Sequence, residues 1–181
     1  MDILISAVLL VILLPLLVLL GILICLDSPG SPLFMQPRVG RGCRIFTIAK
    51  FRSMTVGASS AGPYWTQDND VRITRVGRVM RATSLDELPQ LWNVLTGDMS
   101  FVGPRPDTPA QQTFYTPEAW QQRHRVRPGI TGLAQVNGRS SLTKEERLHY
   151  DLAYAANPTL AMDARILAKT VWMVIRKINV N

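Results

Sequence analysis

From Ile3 to Leu26 the chain reads ILISAVLLVILLPLLVLLGILICL, without one charged residue. As a helix, such a run reaches across a hydrocarbon core of roughly 30 Å. It has no basic leader and is too long and uniform for a secretory signal peptide. Pro15 falls in its middle, where a proline removes one backbone hydrogen bond and crowds the preceding turn. Two geometries follow. The helix spans the bilayer with a kink, or it breaks at Leu14-Pro15, enters one leaflet and returns. Basic residues come only after the run, at Arg38, Arg41 and Arg44. Either geometry therefore leaves the rest of the chain on the cytoplasmic side.

Beyond the run the pattern shortens. DSPGSP (27–32) is a turn-rich exit. LFMQ (33–36) and CRIFTIAKF (43–51) read as two strands, with VGRG between them turning a hairpin. Residues 53–70 show no period and predict an exposed loop, of a length that often carries function. VRITRVGRVMRAT (71–83) predicts a helix with Ile73, Val76 and Met80 on one face. Gly77 inside it costs roughly 1 kcal/mol against alanine, which hints at a close backbone approach. ELPQLWNVL (87–95) predicts a second helix, stopped at Thr96-Gly97.

Residues 97–113 read as irregular, 117–124 as a helix, and the glycine-bearing 126–139 as a shaped loop. LTKEERLHYDLAYAAN (142–157) is helical up to Asn157-Pro158. Residues 160–178 form an amphipathic helix that suits a membrane surface or the core equally. The fold class expected is α+β and predominantly helical. It combines an apolar N-terminal helix, a small β-hairpin and amphipathic helices.

Composition narrows the partners. The chain has 181 residues, 47% of them apolar, and a formal net charge of +7. That is enough for one domain with its own core. The charge suits nucleic acid, acidic lipid headgroups or phosphorylated small molecules. Nucleic acid is disfavoured, because no aromatic residues alternate with the basic ones as a stacking surface requires. Cys25 and Cys43 lack metal-ligand spacing and read as reduced thiols. His124 and His149 read as surface or boundary residues. No Walker A, G-x-G-x-x-G, H-E-x-x-H or G-x-S-x-G motif is present.

Candidate chemistry lies in SLDELPQLWNVLTGDMSFVGPRP (84–106). Ser84 to Glu87 fits the S-x-x-E capping box, a purely structural role. Pro89 argues for a different start. With Ser84 as N-cap it would be the fifth helical residue, where its ring and missing N–H both cost. With Asp86 as N-cap it is the third, where the N–H has no helical partner anyway.

Both carboxylates would then sit at the positive end of a helix near Arg81, which keeps Asp86 ionised. An ionised carboxylate can attack phosphorus to give an acyl phosphate. It can also ligate Mg²⁺ together with substrate phosphates. Glu87 beside it could orient the metal or move a proton. Adjacent helical residues diverge by about 100°, which suits a glycosidase poorly. Arg105, fixed between Pro104 and Pro106, is held for a bidentate phosphate contact or is an exposed arginine in a rigid turn. Lys50 is a further candidate phosphate ligand, or a solvated charge.

KFRSM (50–54), the stretch from Asp70 to Pro106, and RHRVRPGITGLAQVNGR (123–139) closely resemble the bacterial sugar transferases. The likeness is greatest to the small monotopic phosphoglycosyl transferases. It implies transfer of a sugar 1-phosphate from a UDP-sugar to undecaprenyl phosphate, with release of UMP. Asp86 would be the nucleophile and a Mg²⁺ ligand, with Glu87 completing the catalytic dyad. Lys50 and Arg81 would lie near the phosphates, and Arg105 and Pro106 would belong to a nucleotide-binding Pro-Arg-Pro motif.

The same likeness favours the re-entrant geometry. Residues 1–26 would be membrane-embedded and broken near Pro15, and 27–181 would form a catalytic domain on the cytoplasmic face of the bacterial inner membrane. Membrane lipids and a second copy of the chain are the further partners it suggests. Sugar contacts are assigned to 53–70 and 107–125. The alternatives are a membrane-bound Mg²⁺-dependent nucleotide-sugar hydrolase and a non-catalytic basic membrane adaptor.

Overall fold

The computed structural model describes residues 1–58, 70–138 and 141–176. Helix α1 runs from Asp2 to Asp27 and carries Pro15 within it. The break expected at Leu14-Pro15 is absent, and the element is a single helix. Neighbouring side chains hold that stretch: Leu16, Leu17, Leu20 and Ile24 pack with Phe51, Val76, Met80, Leu85 and Leu88. Both helix ends are tied to the same body. Asp2 Oδ2 accepts a hydrogen bond from Ser100 Oγ at 2.6 Å. Asp27 Oδ2 accepts one from the Val76 amide at 2.9 Å. The buried Arg52 guanidinium donates to the carbonyls of Ser28 and Pro29 just beyond the helix. Much of the outer face, including Leu4, Val11 and Leu26, is exposed and apolar.

Strands β1 (Leu33–Val39) and β2 (Ile45–Phe51) form the expected antiparallel hairpin, in register from Leu33 opposite Phe51 to Val39 opposite Ile45. The turn needs left-handed backbone at Gly42 and Cys43. Helix α2 (Arg75–Thr83) starts later than the periodicity predicts. Thr74 caps it by accepting from the Gly77 amide, and Ile73 makes an isolated β-bridge to Met54 instead of a helical turn. The close approach expected at Gly77 is present: a Cβ there would run into the Ser53 backbone.

Helix α3 (Gln90–Leu95) packs on β2. Asn93, itself buried, supplies a surrogate strand edge. Its Oδ1 accepts from the Ala49 amide at 2.9 Å, and its Nδ2 donates to the Thr47 carbonyl at 2.8 Å. Ile48, Val94 and Met99 fill the space below.

Residues 126–139, read above as a loop, contain regular structure. Strand β4 (Gly129–Thr131) pairs in parallel with β3 (Ser100–Val102), and α5 (Leu133–Asn137) follows. The glycines permit this pairing. A Cβ at Gly103 or Gly129 would collide with the facing backbone. Helix α4 (Pro117–Arg123) lies on the connection between β3 and β4. Helices α6 (Lys144–Ala156) and α7 (Leu160–Ile175) close the second core around Val102, Val136, Tyr154, Ile166 and Met173. Helix α7 packs on the core through one face, the second of its two expected roles. Ile166 and Met173 are buried, while Leu160, Val171 and Ile175 stay exposed. The mostly helical α+β class stands, with the described strands in two two-stranded sheets.

Candidate active site

The carboxylate pair sits between helices, not in the first turn of one. Helix α2 ends at Ser84, whose left-handed φ of 57° redirects the chain. A 3₁₀ turn, Leu85–Glu87, follows. Pro89 then stands as N-cap of α3, where a missing N–H costs nothing. The helix start expected at Asp86-Glu87 is therefore displaced to Gln90. The capping box is not formed either, for Ser84 makes no side-chain cap.

Glu87 instead turns toward cations. Its Oε1 accepts from Lys50 Nζ at 2.8 Å and from Arg105 Nη2 at 2.7 Å. Burial opposes its ionisation, but the charges of Arg105 and Lys50 prevail and hold its pKa at about 2. Burial and then the Arg105 charge push the Lys50 ammonium below its usual range, against the pull of Glu87. The Arg105 guanidinium is pushed up, first by Glu87. It remains about half exposed, at 48% of its side-chain surface.

Asp86 differs from the sequence expectation. Burial first, and the Glu87 charge second, push its carboxyl above the ordinary range, outweighing Lys50, Arg81 and Arg105. The two neighbours thus divide the work. Glu87 is locked as an ion, and Asp86 is the carboxylate that gains most from a further cation or a cationic ligand complex.

Asp86, Glu87, Arg81 and Arg105 line one side of a cavity of about 500 Å³. The rest of its wall is mixed. Leu9 and Leu13 of α1, Leu91, Phe101, Ile130 and Val174 make it apolar, whereas Thr131, Gln135, Arg147, Asp151 and Thr170 make it polar. A charged mouth joined to an apolar wall suits a ligand with a phosphate and a greasy or neutral remainder. Lys50 touches the site only through Glu87 among the hydrogen bonds described. Pro106 is buried, and its carbonyl accepts from Arg38 Nη1 at 2.8 Å.

No described residue of 53–70 or 107–125 lines this cavity, so the sugar-contact assignment is not supported for them; residues 59–69 lie outside the described residues. The reason within 107–125 is a buried ionic network the sequence did not reveal. Arg123, 2% exposed, donates to Asp107, to Asp151 at 2.8 and 3.0 Å, and to the Arg105 carbonyl at 2.8 Å. It fastens the Pro-Arg-Pro loop from behind, whereas the spacing of Asp107, Arg123 and Asp151 gives no local signal. His124 is also buried, contrary to its reading as a boundary residue, with Nδ1 2.7 Å from the Trp120 carbonyl. His149 is exposed as expected.

The arrangement is that of a site for a phosphorylated ligand presented beside an apolar surface. Comparison with known proteins gives it a family. The model of the bacterial sugar transferase family matches residues 1–177, and the chain belongs to that family. It is 43% identical over 179 residues to a UDP-N-acetylgalactosamine-undecaprenyl-phosphate N-acetylgalactosaminephosphotransferase of Aeromonas hydrophila, covering 94% of this chain and 42% of that protein. It is 42% identical to a UDP-glucose:undecaprenyl-phosphate glucose-1-phosphate transferase of Caulobacter vibrioides, covering 94% and 67%. It is 43% identical to an exopolysaccharide production protein of Rhizobium leguminosarum, covering 94% and 90%. The chain thus spans less than half the length of some of these relatives and nearly all of others.

Proposed function

We propose that the protein is a phosphoglycosyl transferase that moves a sugar 1-phosphate from a UDP-sugar to undecaprenyl phosphate at a membrane surface. The observation that carries this is the contrast within the dyad, set at the mouth of a cavity partly walled by α1. Glu87 is neutralised by Lys50 and Arg105, while Asp86 lines the cavity and makes no salt bridge among the described residues. The relatives' names supply the substrate class.

In the first step an Asp86 oxygen attacks the phosphorus bearing the sugar. The bond from that phosphorus to the bridging oxygen breaks, and UMP leaves with the electron pair. In the second step a phosphate oxygen of undecaprenyl phosphate attacks the same phosphorus and frees Asp86. A polyprenyl diphosphate sugar results. Arg105 and Arg81 offset the charge of the diphosphate, and the Lys50–Glu87 pair fixes Arg105 at the mouth.

The donor set fits Mg²⁺ in one way only. Among the described residues no three carboxylate, His or Cys groups cluster, so Asp86 would hold the ion together with substrate phosphate oxygens, as Mg²⁺ commonly requires. Bound there, it would withdraw charge from the phosphoryl group.

Anchoring follows from α1. A helix with both ends fastened to one body and an apolar outer face suits insertion into the near leaflet, with the body on the cytoplasmic side. This reading does not need the chain to cross the membrane.

The test is UMP release by detergent-purified protein with Mg²⁺ and a panel of UDP-sugars, with and without undecaprenyl phosphate, for wild type and Asp86→Asn. Lipid-dependent release lost in the variant is expected, as is a covalent mass increase of one sugar phosphate when lipid is withheld. Lipid-independent turnover lost in the variant identifies a hydrolase. Full activity in Asp86→Asn removes it as nucleophile.

A further inference from the structure

The cavity holds a polar group that neither the fold nor the proposed chemistry uses. Gln135 on α5 lines it, and both its amide nitrogen Nε2 and its oxygen Oε1 are buried without a hydrogen-bond partner among the described residues. A buried polar atom left unpaired carries its full desolvation penalty, and native folds rarely leave one without a purpose. Here a donor and an acceptor are left together on one side chain.

Its surroundings keep the amide in place. Gly132, three residues earlier, is packed so closely that a Cβ would strike the Gly103 carbonyl and come within 2.8 Å of Gln135 Oε1. Any larger residue there would displace the amide. Thr131 and Thr170 line the same cavity. Thr170 Oγ1 donates to the Ile166 carbonyl at 2.8 Å and lies 2.7 Å from Thr131 Oγ1. With the Thr170 proton committed, Thr131 donates to Thr170, and its remaining lone pairs are left as acceptors.

The wall therefore offers a carboxamide donor, a carboxamide acceptor and a hydroxyl acceptor, all neutral. Phosphate is a poor match, because two of the three groups are acceptors. Vicinal hydroxyls, each both donor and acceptor, match well. The wall shares its cavity with Asp86. If Asp86 attacks the phosphorus that bears the sugar, the sugar ring must lie beside it.

We infer that Gln135, supported by Thr131, forms the subsite for the hydroxyl groups of the transferred sugar. This rests on the donor class proposed above. The subsite lies on β4 and α5, outside the described parts of the stretches 53–70 and 107–125 to which the sequence alone assigned sugar contacts.

The experiment is calorimetric titration of the full chain in detergent, in the Asp86→Asn background to prevent turnover. UMP, UDP-glucose, UDP-galactose and UDP-N-acetylgalactosamine are the probes. Gln135→Met keeps the length and removes both polar atoms. It is expected to weaken the preferred UDP-sugar about tenfold or more, as loss of a buried ligand hydrogen bond would. UMP affinity should be unchanged. The ligand-free melting temperature should hold or rise, because an orphaned amide has been removed. Thr131→Val should lower UDP-sugar affinity by a smaller factor, again sparing UMP.

Equal weakening of UMP and UDP-sugar would mean that the amide reads the uracil, and would overturn the sugar assignment. Unchanged UDP-sugar affinity would overturn it too, as would a marked fall in ligand-free melting temperature for Gln135→Met, which marks a structural role. Failure of the parent chain to bind any UDP-sugar while binding UMP would overturn the donor class, and this inference with it.

Discussion

Lys50 at the end of β2 and Glu87 in the 3₁₀ turn meet at 2.8 Å, 37 positions apart in sequence and each with 17% of its side-chain surface exposed. That contact couples the hairpin to the dyad. Removing one partner leaves the other nearly buried and less well paired, which for buried pairs costs about 3–5 kcal/mol, less here because Arg105 also holds Glu87. Lys50→Met should therefore lower stability by about 1–3 kcal/mol. The double variant Lys50→Met/Glu87→Gln should recover part of that loss. Urea denaturation of the four proteins of this cycle gives the coupling directly.

Arg123 ties Asp107, Asp151 and the Arg105 carbonyl together from a position 2% exposed. Arg123→Met strands two carboxylates and should destabilise the protein by at least about 3 kcal/mol. Arg123→Lys should restore little of it, because an ammonium cannot reproduce the planar fork that reaches three partners. Denaturation midpoints of the two variants test this.

His124 is held neutral. Burial, the largest influence, lowers its pKa below the ordinary 6.5, against the Trp120 carbonyl, which favours the proton. The unfolded chain thus binds this proton more readily than the folded one. Its contribution to stability is complete above about pH 6.5 and is lost as pH falls toward the folded value. The Arg123 guanidinium disfavours the imidazole proton and the Asp107 carboxylate favours it, both less than burial acts. His124→Gln should flatten the fall in melting temperature between about pH 7 and pH 5.

Gly77 inverts the usual helix rule. An exposed mid-helix glycine normally gains about 0.4–1 kcal/mol on change to alanine. Here the added methyl meets the Ser53 backbone. Gly77→Ala should instead cost about 1–3 kcal/mol, with loss of the contact between α2 and the chain just beyond β2 seen as faster amide exchange at Thr74, whose N–H donates to the Ser53 carbonyl.

The sequence by itself determined the elements whose signals are local. The uncharged run from Ile3 to Leu26, the alternation in the hairpin and the stops at Thr96-Gly97 and Asn157-Pro158 set most element types, because burial period and helix-stop signals act within a few residues. The Asp86-Glu87 pair and the Pro-Arg-Pro turn were also legible, because their chemistry lies in one continuous stretch. Even there Pro89 misled. A start at Asp86 was the economical placement, and the chain takes a 3₁₀ turn instead, since Glu87 gains more from Lys50 and Arg105 than from a cap.

What only the tertiary structure decided are the relationships between distant residues. Which of the two carboxylates is locked by cations, the burial of Arg123 with Asp107 and Asp151, the β3–β4 pairing permitted by Gly103 and Gly129, and the orphaned amide of Gln135 all depend on segments brought together from far apart. Solvent exclusion and unpaired polar atoms are properties of that assembled space. No period or motif along the chain encodes them, so they become visible only once the walls of the cavity are in place.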